Sequence, residues 1–123
     1  MDFVTDRKRA TGLGSAKEGT HHFWSMQISS VALAILMPLF VFTFGRILGA
    51  PHDEVVAYFS RPFPALVAAL AIVVGFMHFK NGVQVMIEDY THGLARKYLI
   101  IGTIILSYAA AATGLFAIAR IAL

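Results

Sequence analysis

Phe63 to Tyr90 reads FPALVAALAIVVGFMHFKNGVQVMIEDY, and how this stretch is read decides the fold. From Pro62 to Phe79 it carries no charged residue, and it reaches bilayer length if Lys80 snorkels its ammonium toward an interface. Within it stands one histidine, His78, and it closes on an acidic–aromatic pair, Asp89 and Tyr90. On a straight α-helix each residue turns about 100°. The steps from His78 to Asp89 then come within about 20° of three full turns, and Gly82 lies about 40° from the histidine. A ring, a gap without a side chain and a carboxylate therefore share one stripe, with about 16 Å of rise between its polar ends. Tyr90, about 100° further round, borders the lower end of that stripe.

Two more uncharged runs flank this one, Gly19 to Gly45 and Tyr98 to Ala119. Each is long enough against the roughly 20 residues that span a hydrocarbon core. The 123-residue chain is 58% hydrophobic and 14% charged, too apolar for a small soluble domain. The expected fold is an all-α membrane protein with three transmembrane helices, about 23–45, 62–90 and 97–120, behind a basic amino-terminal arm, 1–22. The loops are short and polar residues face a protein interior, so these helices form part of a heteromeric bundle. No cysteine is present, which excludes disulfides and thiolate-held zinc or iron–sulfur centres in this chain. The net charge of +3 does not point to nucleic acid, because the basic residues sit beside the spans, where they set orientation.

The arm interleaves Arg7, Lys8, Arg9 and Lys17 with Asp2, Asp6 and Glu18. Its Gly12–Ser15 portion follows no strand and is no phosphate loop. The run after it is too long for a secretory leader, and its acidic residues argue against a transit peptide. In the first span His21, His22 and Trp24 belong at headgroup level. Pro38 is expected to kink this helix, while Ser25, Ser29 and Gly45 offer small packing surfaces. Residues 46–61 read as a loop, with Ser60 capping the second helix and Pro62 in its first turn. Thr91-His92-Gly93 stops that helix. Gly102, Ser107, Ala109 to Ala112 and Gly114 give the third helix small faces. Arg7, Lys8, Arg9, Lys17, Arg96 and Lys97 lie on one side, against Arg46, Arg61 and Arg120 on the other. That asymmetry puts the amino terminus and the Asp89–Tyr90 end in the cytoplasm and the carboxyl terminus outside.

Ionisable groups inside a bilayer are costly and call for a partner or a function. For His78 two readings stand: an interhelical hydrogen bond, or an axial ligand to haem iron, which neutral imidazole commonly supplies. Gly75 and Gly82 leave room for a flat macrocycle. His21, His22, His52 and His92 all lie near or beyond helix ends, so a second axial ligand would come from another subunit. Asp89 and Tyr90 read either as a solvated helix end or as half of a quinone site. There the phenol would donate to a carbonyl while the carboxylate orients it or relays protons from water. Lys80, about 200° round from His78, is read as snorkelling or pairing with a partner chain. Trp24 is read as an interfacial anchor, and Ser29 and Ser30 as packing residues.

The pattern His78-x10-Asp89-Tyr90, with Gly82 four residues after the histidine, resembles the small hydrophobic membrane-anchor subunit of succinate dehydrogenase (respiratory complex II). This is the bacterial cytochrome b556-type subunit often called D. The resemblance covers nearly the whole chain, from the basic arm and the Gly19-Thr20-His21-His22-Phe23-Trp24 start of the first helix to the motif on the second. It implies His78 as one axial ligand of haem b, with the other from a companion cytochrome b556 anchor subunit. It also implies Tyr90 as donor to ubiquinone with Asp89 beside it, and FAD and iron–sulfur clusters in a flavoprotein and an iron–sulfur subunit docked on the cytoplasmic face. The bacterial inner membrane would be its location, and electron transfer from succinate to ubiquinone its activity. One departure stands out. Where relatives often carry an arginine early in the first helix, this chain has Met26-Gln27-Ile28, so no haem-propionate or quinone contact of that arginine carries over. Two other functions compete. A small transporter would need a membrane-embedded carboxylate, which the first and third helices lack, and a structural assembly subunit would use His78 and Asp89 only to bond neighbouring helices.

Overall fold

A computed structural model describes residues 3–15 and 19–123. Asp2, Lys17 and Glu18 of the basic arm lie outside the described residues. The described chain is all-helical: α1 (Asp6–Thr11), α2 (Gly19–Gly45), α3 (His52–Phe59), α4 (Pro62–Tyr90) and α5 (Gly93–Ala122). Three of these, α2, α4 and α5, are long and apolar enough to cross a membrane. The protein is a membrane protein with three candidate spans.

Each boundary has a local cause. In the arm, Thr5 caps α1 by accepting the Lys8 amide at 3.2 Å, and Gly12 ends it at a φ of +54°, a conformation that suits glycine. Helix α2 begins at Gly19, one polar turn ahead of the apolar run, and continues through Pro38. The stretch expected as plain loop contains α3, whose first turn holds Asp53 and Glu54, favourable charges at a helix amino terminus. Its last residue, Phe59, is buried. This changes the role of Ser60. It is the carboxyl-terminal cap of α3 in the right-handed helical region, its hydroxyl donates to the Ala57 carbonyl, and the extended residue preceding α4 is Arg61. Pro62 then occupies the first turn, where its missing N–H costs nothing. Thr91 ends α4 by returning both its amide (2.9 Å) and its hydroxyl (2.7 Å) to the Ile87 carbonyl. Only Thr91 and His92 separate α4 from α5, which opens at Gly93 with φ +65° and so begins ahead of the expected start.

The three long helices form a row. Helix α4 packs against α2 on one side and α5 on the other, while no Cα atoms of α2 and α5 come within 8 Å of each other. The α4–α5 approach is tight at Gly114, where a side chain would meet Ile72 at 3.1 Å. On the α2 side, Gly82 lies beneath the Met26 side chain. The short α3 rests against α4 and α5. A row of three buries little of its own apolar surface, and Ile28, Phe42, Leu66 and Phe116 are all exposed.

Candidate functional site

The α2–α4 seam holds two polar pairs in register. His78 Nδ1 stands 3.0 Å from Ser29 Oγ, and Asn81 Nδ2 donates to Ser25 Oγ at 3.0 Å. On α2 the two serines are one turn apart, and on α4 the histidine and the asparagine are nearly so. Running antiparallel, the two helices set both rungs side by side. Ser29 and Asn81 are buried, at 5% and 4% exposure, while His78 is half-buried. The stripe inferred from the sequence faces α2, since His78 and Gly82 both meet residues of that helix.

Ser29 sets the state of the ring. Its hydroxyl donates to the Met26 carbonyl at 3.0 Å, and a hydroxyl has one proton to give. Both contacts are hydrogen bonds together only if Nδ1 carries the imidazole proton and donates it to Oγ. In a neutral ring the remaining nitrogen, Nε2, then bears a lone pair, and no group among the described residues bonds to it. A neutral imidazole anchored through Nδ1–H with a free Nε2 is the form in which histidine ligates metals. A groove of about 360 Å³ runs along the same seam, lined by His21, Trp24, Ser25, Ile28, Ser29 and Val74 among others. Close by in sequence, His22 Nε2 is buried with no hydrogen-bond partner among the described residues.

At the other end of the stripe, Asp89 is exposed and Tyr90 is 82% exposed. Neither side chain makes a hydrogen bond among the described residues, and the structure does not bring them to His78. They project from the last turn of α4, beside a charged corner the sequence reading did not single out. There Gln84 Nε2 donates to Glu88 Oε1 at 3.0 Å, and Arg96 approaches the same carboxylate oxygen at 4.0 Å. Lys80 is on the opposite side of α4, with Nζ 5.6 Å from the Tyr108 ring centroid on α5. The partners of His78 and Asn81 were also missed as such, Ser29 being read only as a packing residue. The available signal was the matched spacing, with two serines one turn apart facing two polar residues one turn apart.

Comparison with known proteins gives the family of the chain. The family profile described as succinate dehydrogenase/fumarate reductase transmembrane subunit matches residues 1–116. A succinate dehydrogenase hydrophobic membrane anchor subunit from Paracoccus denitrificans is 47% identical over 123 residues, covering 100% of this chain and 95% of that one. A protein of the same name from Rickettsia bellii is 29% identical over 90 residues, 72% of this chain and 71% of its own. The succinate dehydrogenase membrane anchor subunit of Reclinomonas americana is 29% identical over 80 residues, 63% of this chain and 67% of its own. No solved structure matches the chain significantly. Three apolar helices and a profile match over nearly the full length lead to one conclusion: the chain belongs to the family of succinate dehydrogenase/fumarate reductase transmembrane subunits.

Proposed function

We propose that this chain is the membrane-anchor subunit of a succinate:ubiquinone oxidoreductase, holding one side of a haem b site and part of the site where ubiquinone is reduced. The observation that carries the reading is the His78–Ser29 bond. As a purely structural contact it satisfies one ring nitrogen and leaves the other idle on a helix inside the membrane. As a ligand arrangement it accounts for both. Ser29 fixes the ring and its tautomer, and Nε2 would be the atom that holds a haem iron. With this donor set His78 would hold a haem iron together with a residue of a companion anchor subunit. Bound there, a haem supplies a one-electron redox centre within the membrane.

The chain's other contributions lie at the end of α4. The Tyr90 phenol is free to donate a hydrogen bond to a quinone carbonyl, and Asp89 beside it can pass protons from water, since both are solvent-accessible. Quinone reduction takes up two protons along with two electrons, so a site at the water-facing end of a helix suits it better than one at mid-membrane. The excess of Arg and Lys around the arm and the α4–α5 connection puts that end in the cytoplasm, against the inner face of a bacterial inner membrane. There the flavoprotein and iron–sulfur subunits, carrying FAD and the clusters, would dock.

A reduced-minus-oxidised visible spectrum of the intact complex tests the haem assignment. His78→Ala is expected to abolish a b-type signal that the wild type shows, and a signal that survives the substitution would refute the assignment. Tyr90→Phe tests the quinone assignment separately. Succinate–quinone turnover and quinone KM at wild-type values would show that the phenol is not the donor.

A further inference from the structure

The α4–α5 side of the molecule carries a polar cluster that the haem and quinone reading does not use. Lys80, half-buried, holds Nζ 5.6 Å from the Tyr108 ring centroid. Beside Tyr108, Ser107 is 3% exposed and its hydroxyl has no hydrogen-bond partner. A helical serine ordinarily returns its hydroxyl to a carbonyl one turn back, as Ser30 and Thr113 do here. Lys80, Ser107 and Tyr108 all line one cavity of about 260 Å³, whose other walls are apolar and include Val73, Phe76 and Ala111.

Depth restricts what can occupy this cavity. Ser107 and Tyr108 lie at the midpoint of α5, so the cluster is near the middle of the membrane. Lipid phosphates lie outside a hydrocarbon core about 30 Å thick, roughly 15 Å from that level. Side chains of α4 lean toward its amino terminus, so Lys80 leans away from the nearer, Tyr90 end of its helix, against the direction of snorkelling. Every unsatisfied polar group here can donate, and an ammonium in hydrocarbon is costly without a partner, which a carboxylate supplies most strongly. A second copy of this chain has none to offer at that depth: α2 and α5 contain no Asp or Glu, and those of α4 are confined to its end at Glu88 and Asp89. Ala111 and Ala112 in the cavity wall leave room for close backbone approach.

We infer that the α4–α5 groove seats a transmembrane helix of a different protein chain, which presents a carboxylate to Lys80 at mid-membrane depth. The contact lies on the side of α4 opposite His78 and is separate from the α2–α4 seam. It rests on the reading of this chain as one subunit of a larger membrane complex, but not on haem or quinone.

The test places p-benzoylphenylalanine at Ala111, or at Leu115 should the first derivative fail to assemble, in the intact complex in its native membrane. The expected result is a photo-cross-link to a different protein chain, mapping within about one helical turn of an Asp or Glu in a transmembrane segment. Lys80→Met should then speed dissociation of that chain in mild detergent by about tenfold or more, with Lys80→Arg within about threefold of wild type. Cross-links confined to phospholipid, to another copy of this chain or to a segment without an acidic residue would overturn the inference, as would wild-type dissociation of Lys80→Met. The visible spectrum of the same samples keeps the two ideas apart. A haem signal without the cross-link sinks this inference alone, and the cross-link without a haem signal sinks the haem reading alone.

Discussion

Replacing Ser29 by alanine removes one oxygen and isolates the contribution of the α2–α4 seam to the site. Ser29 is 5% exposed and its hydroxyl accepts from His78 Nδ1 at 3.0 Å, so its removal takes away the ring's partner at that nitrogen. Between helices in a membrane such a bond contributes on average about 0.6 kcal/mol and at most about 1.7. The fold should therefore survive. The effect on a bound metal is larger, because hydrogen-bond partners behind a ligating histidine typically change metal affinity by about 10–100-fold. That corresponds to about 1.4–2.8 kcal/mol. The sign of the redox change follows from the same bond. Without an acceptor at Nδ1–H the ring donates less electron density, ferric iron loses more than ferrous, and the midpoint potential rises. Each tenfold preferential weakening of the ferric form raises it by about 59 mV. Ser29→Thr, which keeps a hydroxyl, should restore most of both. Ser30→Ala is the matched control, since Ser30 Oγ also donates to the Met26 carbonyl, at 2.8 Å, but makes no bond to His78. Haem retention and a potentiometric titration of the purified complex read both effects. Wild-type affinity and potential in Ser29→Ala, alongside haem loss in His78→Ala, would show that the serine does not orient the ligand.

Two further substitutions probe the helix row. Gly114→Ala would place a methyl 3.1 Å and 3.3 Å from two carbons of Ile72, and should cost about 1–3 kcal/mol in detergent unfolding assays, with partial recovery on adding Ile72→Ala. Full stability in Gly114→Ala would mean that the α4–α5 approach is looser than the structure shows. For Asn81 and Ser25, a double-mutant cycle to alanine should give a coupling of about 0.6–1.7 kcal/mol, and strict additivity would mean the 3.0 Å bond contributes nothing.

The apolar runs made the three spans legible, but not where the helices end. An apolar run reports what lies in hydrocarbon, whereas α2 and α5 each carry a polar turn beyond it, at Gly19–His22 and Gly93–Lys97. Helix α3 was hidden for a different reason. Its HDEVVAYF is short and polar at its start, and its buried residue, Phe59, becomes apparent only once α4 and α5 are in place. Missing α3 also misassigned Ser60, a good cap by residue type that the preceding helix already uses. The face shared by His78 and Gly82 follows from helical geometry alone. Which α2 residue would meet the histidine does not, because that depends on the register between antiparallel helices. Asn81 was obscured by its position between Lys80 and Gly82, although it is the most buried polar residue of α4.

The polar residues of α4 divide between two directions, and the division bears on what kind of protein this is. His78, Asn81 and Gly82 fall within about 100° of one another and face α2, whereas Lys80 points to α5. A self-sufficient three-helix protein would close into a triangle and direct such groups to one shared interior. Here α2 and α5 stay apart. Each side of α4 carries a group whose chemistry is only half met, an imidazole with an idle nitrogen on one and an ammonium without a carboxylate on the other. Of the apolar window in α5 only 6% is buried, yet Ser107 on that helix is among the most buried residues described. Lipid covers the open apolar surface at little cost, but it offers no counter-charge to an ammonium. The unpaired Lys80 becomes reasonable when another chain supplies the acceptor, as expected of a subunit that anchors a larger assembly.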